Sequence, residues 1–287
     1  VSAARPSREA LRREIAALLK DAGVEAAALD ARLLLCAALG ISDLDLMREP
    51  EAAVQPDAAE KAQAFAARRA GGEPVSRITG MREFWGLSFE LGEETLDPRP
   101  DSETLVDAAL RHIAPRKAER LRLLDLGTGT GCLLLALLHE LQNAEGAGVD
   151  VSPGAAAIAA RNAARLGLSA RAFFCCGSWD DAFSGRFDLL VSNPPYIPYK
   201  DIEGLAREVS RYDPHRALDG GQDGLDPYRR LFPQLPHRLA HGGIAVFEFG
   251  KGQEEALAAL AETCGLKVLE IAADLAGTPR VIVVQPR

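Results

Sequence analysis

Apolar residues near the start of the chain recur at helical spacing. Leu11, Ile15, Leu18 and Leu19 stand at i, i+4, i+7 and i+8 and predict one buried helix face, with Ser7 placed to cap it. Leu29, Leu33, Leu34 and Ala37 predict a second helix ended by Gly40. Residues 57–70 predict a third, closed by Gly71 and Gly72. This opening module is helical and poor in strands. Between Ile78 and Leu91 the pattern shortens to alternation: Phe84 and Trp85 precede Gly86, and Leu87, Phe89 and Leu91 follow it, which predicts a β-hairpin. A loop with Pro98 and Pro100 comes next. Asp101 or Ser102 can then cap a helix running through Leu105, Val106, Ala109 and Leu110.

From residue 121 strands and helices alternate. Strands are predicted at 121–126, 146–151, 170–175, 187–191, 243–249, 267–272 and 281–285. Helices are predicted at 130–141 and 154–166, and 227–240 reads as helix bent by Pro233 and Pro236. Such alternation implies an α/β, Rossmann-like domain: a seven-stranded, mostly parallel sheet with helices on both faces.

Composition narrows the class. The 287 residues carry 33 Lys and Arg against 41 Asp and Glu, a net charge of −8. An acidic chain has no general attraction for phosphate backbones, so no stable nucleic-acid binding is expected. The longest apolar run, Leu133 to Leu138, is far short of the ~18 residues that cross a bilayer, so no membrane association is expected either. The Arg-rich start (Arg5, Arg8, Arg12, Arg13) is interrupted by Glu9 and Glu14, unlike a transit peptide. Cys36, Cys132, Cys175, Cys176 and Cys264 are odd in number and include no Cys-x-x-Cys, and the five histidines are scattered. That pattern suits a reducing, cytoplasmic compartment and predicts no metal. A monomer is the simplest expectation.

The candidate chemistry sits in two loops. Asp125-Leu126-Gly127-Thr128-Gly129-Thr130-Gly131 follows a strand and opens a helix, so its backbone can approach a ligand closely and present N–H groups to it. Asp150 ends the next strand, where a carboxylate can accept hydrogen bonds from ribose hydroxyls. These features alone fit any nucleoside-containing cofactor, or a tight turn with no ligand. The Gly-x-Gly-x-Gly spacing departs from the dinucleotide Gly-x-Gly-x-x-Gly and favours S-adenosylmethionine over a nicotinamide.

Ser192-Asn193-Pro194-Pro195-Tyr196 follows the fourth strand of the unit. In the doubly wound order the first and fourth strands are neighbours, so the two loops should face one cleft. The Asn193 carbonyl and the Pro194 backbone carbonyl can each accept one N–H of a planar –NH2 group. That would fix the nitrogen and favour the positive charge it gains on methylation. Proline holds such carbonyls in place, and Tyr196 can stack on a flat substrate. A polar Pro-Pro turn without a catalytic role is the plain alternative. Trp179, after the third strand, either packs on an adenine ring or fills the core. Arg99 either meets substrate, clamps its loop to a carboxylate or makes a surface ion pair. Phe84 and Trp85 read as core residues. No strong general base is evident.

Pro98-Arg99-Pro100-Asp101-Ser102-Glu103, residues 125–131 and residues 193–196 together resemble the release-factor glutamine methyltransferases, the HemK/PrmC family. Arg82-Glu83-Phe84-Trp85, Asp30 to Leu34 and Glu248 to Gln253 add to the likeness, which covers nearly the whole chain. The resemblance implies a helical substrate-docking domain (1–75), a linking hairpin (76–97) and a class I methyltransferase domain (98–287). It implies S-adenosylmethionine as methyl donor and the glutamine of the Gly-Gly-Gln motif of class 1 peptide release factors as substrate. By position, Gly127, Thr128, Gly129, Thr130, Gly131, Asp150, Trp179 and Asn193 would contact the donor, and Asn193, Pro194, Pro195 and Tyr196 would hold the glutamine amide. Two positions depart from the family: Ser178 stands where relatives often carry an acid, and Asp97 where they commonly carry an aliphatic residue. The competing readings are a nucleic-acid amino-methyltransferase, which shares Asn-Pro-Pro-Tyr but should bring a basic domain, a non-catalytic nucleotide-binding adaptor, and a nicotinamide dehydrogenase.

Overall fold

A computed structural model describes residues 5–179 and 185–287. They divide into two compact units: a helical one up to Gly80, which also includes Arg207–Tyr212, and an α/β one with the remainder.

The helical unit holds α1 (Arg8–Asp21), α2 (Ala27–Leu39), α3 (Asp43–Arg48), α4 (Pro56–Ala70) and α5 (Val75–Thr79). Ser7 caps α1 by accepting from the Ala10 N–H, and Gly40 ends α2 in the left-handed region. Leu11, Ile15, Leu19, Ala31, Leu34, Leu35 and Ala62 form its core. Three predicted core leucines are instead exposed: Leu18, Leu29 and Leu33. In α2 the short Ala27, Ala31, Cys36 and Ala38 are buried in their place, together with Asp30. Small residues let α1 and α4 come close to α2, and the Asp30 carboxylate takes the Arg69 Nε–H at 2.7 Å within the unit. The short helices α3, α5 and Arg207–Tyr212 have no counterpart among the predicted elements; α3 is set by a capping box between Ser42 and Asp45.

The α/β unit begins with the hairpin β1 (Met81–Phe84) and β2 (Leu87–Glu90). Its two-residue turn puts Trp85 and Gly86 at positive φ (54° and 67°), and the Glu103 carboxylate accepts the Trp85 N–H at 2.7 Å. Then come α6 (Glu103–Ile113), β3 (Arg122–Leu126), α7 (Cys132–Glu140), β4 (Glu145–Asp150), α8 (Pro153–Arg165), β5 (Ala172–Cys176) and β6 (Phe187–Ser192). The segment Arg207–Tyr212 is α9. After it follow α10 (Asp226–Leu231), α11 (Leu235–Arg238), β7 (Leu239–Glu248), α12 (Glu254–Thr263), β8 (Leu266–Ala273) and β9 (Pro279–Pro286). The sheet order is β5-β4-β3-β6-β7-β9-β8; β9 runs antiparallel to both of its neighbours and the other pairs are parallel. The expected seven-stranded, mostly parallel sheet is therefore present.

Strand residues alternate between two cores. Leu123 and Leu189 face the layer that holds α6 and α7, where all of Leu133 to Leu138 is buried. Leu124 and Leu190 face Tyr228, Phe232, Phe247 and Leu257 on the other side. Burial on both faces is why these strands read as continuous apolar runs. Asn162 in α8 is wholly buried and ties the hairpin to the glycine loop. It accepts the Glu90 N–H at 2.7 Å and donates to Glu90 O (3.0 Å) and Thr130 O (2.9 Å). Among the described residues no helix is long and apolar enough to cross a membrane.

Candidate active site

β3 and β6 are adjacent and parallel, with Leu126 level with Ser192. The glycine loop and the Asn-Pro-Pro-Tyr loop therefore leave the sheet side by side at its carboxyl edge, where an α/β sheet binds ligands. A cavity of about 240 Å³ opens there within the α/β unit. Of the residues singled out in the sequence, Gly127, Thr128, Gly129, Thr130, Asp150, Trp179, Asn193 and Pro195 line it. Gly131, Pro194 and Tyr196 do not. Gly131 turns the chain into α7 at φ 80°, and a Cβ there would press on Ala159, Leu135 and Phe174. Pro194 is buried, and among the described residues no donor is directed at its backbone carbonyl.

Asp150 is held by two backbone N–H groups, Gly129 to Oδ2 and Ser152 to Oδ1, both at 2.9 Å. Each oxygen keeps a lone pair for a further donor. Trp179 is at φ 52° with its ring edge beside Gly127, and it also packs against the core behind. It fills core, the second of the roles considered for it, while also lining the cavity. Thr130 Oγ1 is buried in the wall near the Cys132 thiol, without a partner at ordinary hydrogen-bond distance. Asp125, fully buried beneath the loop, accepts the Thr128 hydroxyl at 2.6 Å; burial pushes its carboxyl from 3.8 up to about 7 against that bond.

Matches to known proteins fit this geometry. Residues 10–80 match the family described as PrmC N-terminal domain, and residues 123–212 one described as methyltransferase domain. A release factor glutamine methyltransferase of Rhodospirillum rubrum is 51% identical over 94% of this chain and 82% of its own length. One from Bradyrhizobium diazoefficiens is 48% identical over 96% of this chain and 93% of its own. The chain belongs to the release factor glutamine methyltransferase family. It is a methyltransferase with the family's two-part build. A methyltransferase of Pyrococcus furiosus shares the fold at a TM-score of 0.50 and 15% identity, covering 77% of this chain and 96% of that one.

The two departures from the family pattern have partners. Ser178 Oγ lies 3.3 Å from Arg230 Nη2. Asp97 is buried, with Arg82 Nε at 3.5 Å and Arg99 Nη1 at 3.6 Å, while its neighbours Leu96 and Pro98 line the cavity. Arg99 also pairs with buried Asp213, so it clamps its loop to carboxylates. The expected cap at Ser102 is absent. Residues 100–102 form a 3-10 turn that leads straight into α6, so Ser102 already has helical φ and ψ and its side chain turns elsewhere.

That side chain belongs to a cluster not foreseen from sequence. Asn193 Nδ2 donates to Ser102 Oγ at 3.1 Å. Tyr196 donates its hydroxyl to Glu248 Oε1 at 3.1 Å, and its ring packs on the core rather than standing free as a platform. Glu248 ends β7 and is buried; burial raises its carboxyl pKa, while the Ser102 and Tyr196 hydroxyls lower it. Its Oε2 has no partner at ordinary hydrogen-bond distance, so the Ser102–Glu248 contact is a long one. The backbone after Tyr196 is braced as well. Gln253 Nε2 donates to Tyr196 O at 2.9 Å, and a Cβ on Gly220 would come within 2.8 Å of the Tyr196 Cα. At the cavity mouth Glu94 pairs with Arg216 at 3.0 Å.

Proposed function

We propose that this protein transfers a methyl group from S-adenosylmethionine to the side-chain amide N5 of the glutamine in the Gly-Gly-Gln motif of class 1 peptide release factors. The observation that carries this reading is Asn193 at the cavity wall with its amide N–H engaged by Ser102, beside the buried Pro194, whose backbone carbonyl takes no donor among the described residues. The residues present fit the donor. The Asp150 carboxylate, fixed by two N–H groups, is suited to ribose hydroxyls. The Trp179 ring offers an aromatic face for adenine, and the buried Thr130 hydroxyl would gain a partner.

When bound, the donor supplies an electrophilic methyl on a sulfonium. The chain orients the nucleophile. An amide nitrogen has a delocalised lone pair and attacks only if its plane is held against the methyl axis. Asn193 Oδ1 and the Pro194 carbonyl would each accept one N–H, and both dipoles favour the charge that develops on nitrogen. An N-methylated cationic amide is strongly acidic and gives its proton to water. Tyr196, anchored on Glu248, holds the turn that sets the Pro194 carbonyl. The helical unit would dock on the release factor outside the methylated loop.

Incubation with labelled S-adenosylmethionine and a purified class 1 release factor tests the reading, alongside its Gln→Ala variant in Gly-Gly-Gln and duplex DNA. Label on the unaltered factor alone is expected. Label on DNA, or equal label on the variant, would refute it.

A further inference from the structure

We propose that Ser102 and Glu248 are positioning residues that fix which way round the Asn193 amide sits, and thereby let it accept rather than donate toward the substrate. The inference rests on the proposed role of Asn193 as acceptor for the glutamine –NH2.

The two branches of an asparagine amide are nearly identical in shape, so partners alone decide which faces which way. On one side of Asn193 stands Ser102 Oγ, at 3.1 Å from Nδ2 and 3% exposed. A hydroxyl can give one proton and accept others. The Glu248 carboxyl, buried at the end of β7, lies near Ser102 but beyond ordinary hydrogen-bond distance. Ionised or protonated, a carboxyl group keeps an oxygen lone pair able to accept that hydroxyl. Asn193 Nδ2 donates to a Ser102 lone pair, which leaves the Ser102 O–H free to turn toward Glu248 across a long contact. Only the –NH2 branch of the amide can meet a lone pair. The carbonyl branch is left for the cavity that Asn193 lines. The reversed amide would face a substrate –NH2 with a second –NH2, donor against donor.

The three residues come from distant parts of the chain: the turn before α6, the end of β6 and the end of β7. β6 and β7 are paired in parallel, with Ser192 level with Phe247, which brings Asn193 and Glu248 to the same height. Tyr196 donates to the same carboxylate from the far side of the loop. One buried acid thus orders both ends of Asn-Pro-Pro-Tyr.

Replacing Ser102 by Ala would leave the buried –NH2 branch without an acceptor, and the amide would then favour turning it toward the wet cavity. The competent orientation, and with it kcat, should fall about tenfold. The test compares wild type with Ser102→Ala, Ser102→Thr and Glu248→Gln in donor Kd, in kcat and KM on a release factor, and in thermal midpoint. Protection of the Asn193 side-chain amide protons is read by NMR without any ligand. Expected is a loss in kcat for Ser102→Ala with donor Kd within about twofold. Faster exchange of the Asn193 amide protons should accompany it, and Ser102→Thr should recover most of the rate because it keeps the hydroxyl. Glu248→Gln, able to donate as well as accept, should slow kcat too. Wild-type kcat and unchanged amide exchange in Ser102→Ala would overturn the inference, as would equal losses in the Ala and Thr variants. A wild-type protein that binds donor and methylates no glutamine would overturn the proposed function as well.

Discussion

Asp125 lies under the glycine loop as a fully buried acid with one oxygen lacking a hydrogen-bond partner. Burial outweighs the Thr128 hydroxyl and the Leu134 N–H, and raises its pKa from 3.8 to about 7. For an acid raised in this way the native state holds a proton that the unfolded chain has released. Stability from this group is therefore highest below pH 3.8, falls as pH rises toward about 7, and levels off above that. Integrated from pH 5 to pH 8, the loss is about 3 kcal/mol. Two carboxyls shifted the other way, Glu9 and Asp223, are lowered to about 2, so they titrate below this window. Glu248 is raised and adds a fall of the same sign, so the informative quantity is a difference between proteins. Asp125→Asn keeps the shape and an acceptor for Thr128 but removes the titration. Urea unfolding of both proteins at pH 5, 6, 7 and 8 should show wild type losing about 3 kcal/mol more than the variant across the range. Parallel profiles would refute the idea that Asp125 is held protonated by burial.

Two further outcomes are expected. Asn162→Ala removes three hydrogen bonds that join the hairpin to the Thr130 carbonyl, and should lower stability by about 3 kcal/mol at ~1 kcal/mol each, measured by denaturant midpoint. The helical unit exposes Leu44 and Met47 at 49% and 67%; if that face docks the substrate protein, the double change to Lys should raise KM for the release factor severalfold while donor Kd and thermal midpoint stay put.

The α/β sheet was largely legible because its central strands are covered on both faces and so appear as largely apolar runs between loops, as with Leu123 to Leu126 and Phe187 to Val191. The helical unit was less legible in detail. Leucine spacing pointed to Leu29 and Leu33 as core, whereas close helix packing selected Ala27, Ala31 and Ala38. Helices of five or six residues, such as α3 and α5, carry too few turns for a period to show. The glycine loop, Asp150 and Asn193 were recognisable because each side chain or backbone turn has a local sequence context. Ser102 and Glu248 were not, since their part in the site depends on strand neighbours far apart in the chain. The glycines at 220 and 224 are the local sequence signal of the close backbone approach beneath Tyr196.

The most direct test is peptide mapping by mass spectrometry of a class 1 release factor after incubation with S-adenosylmethionine and this protein, in parallel with its Asn193→Ala variant. One added methyl group on the Gly-Gly-Gln glutamine is expected with wild type, and little or none with the variant although it still binds the donor. An unmodified glutamine with wild type, or full methylation by Asn193→Ala, would contradict the role given to the Asn-Pro-Pro-Tyr loop.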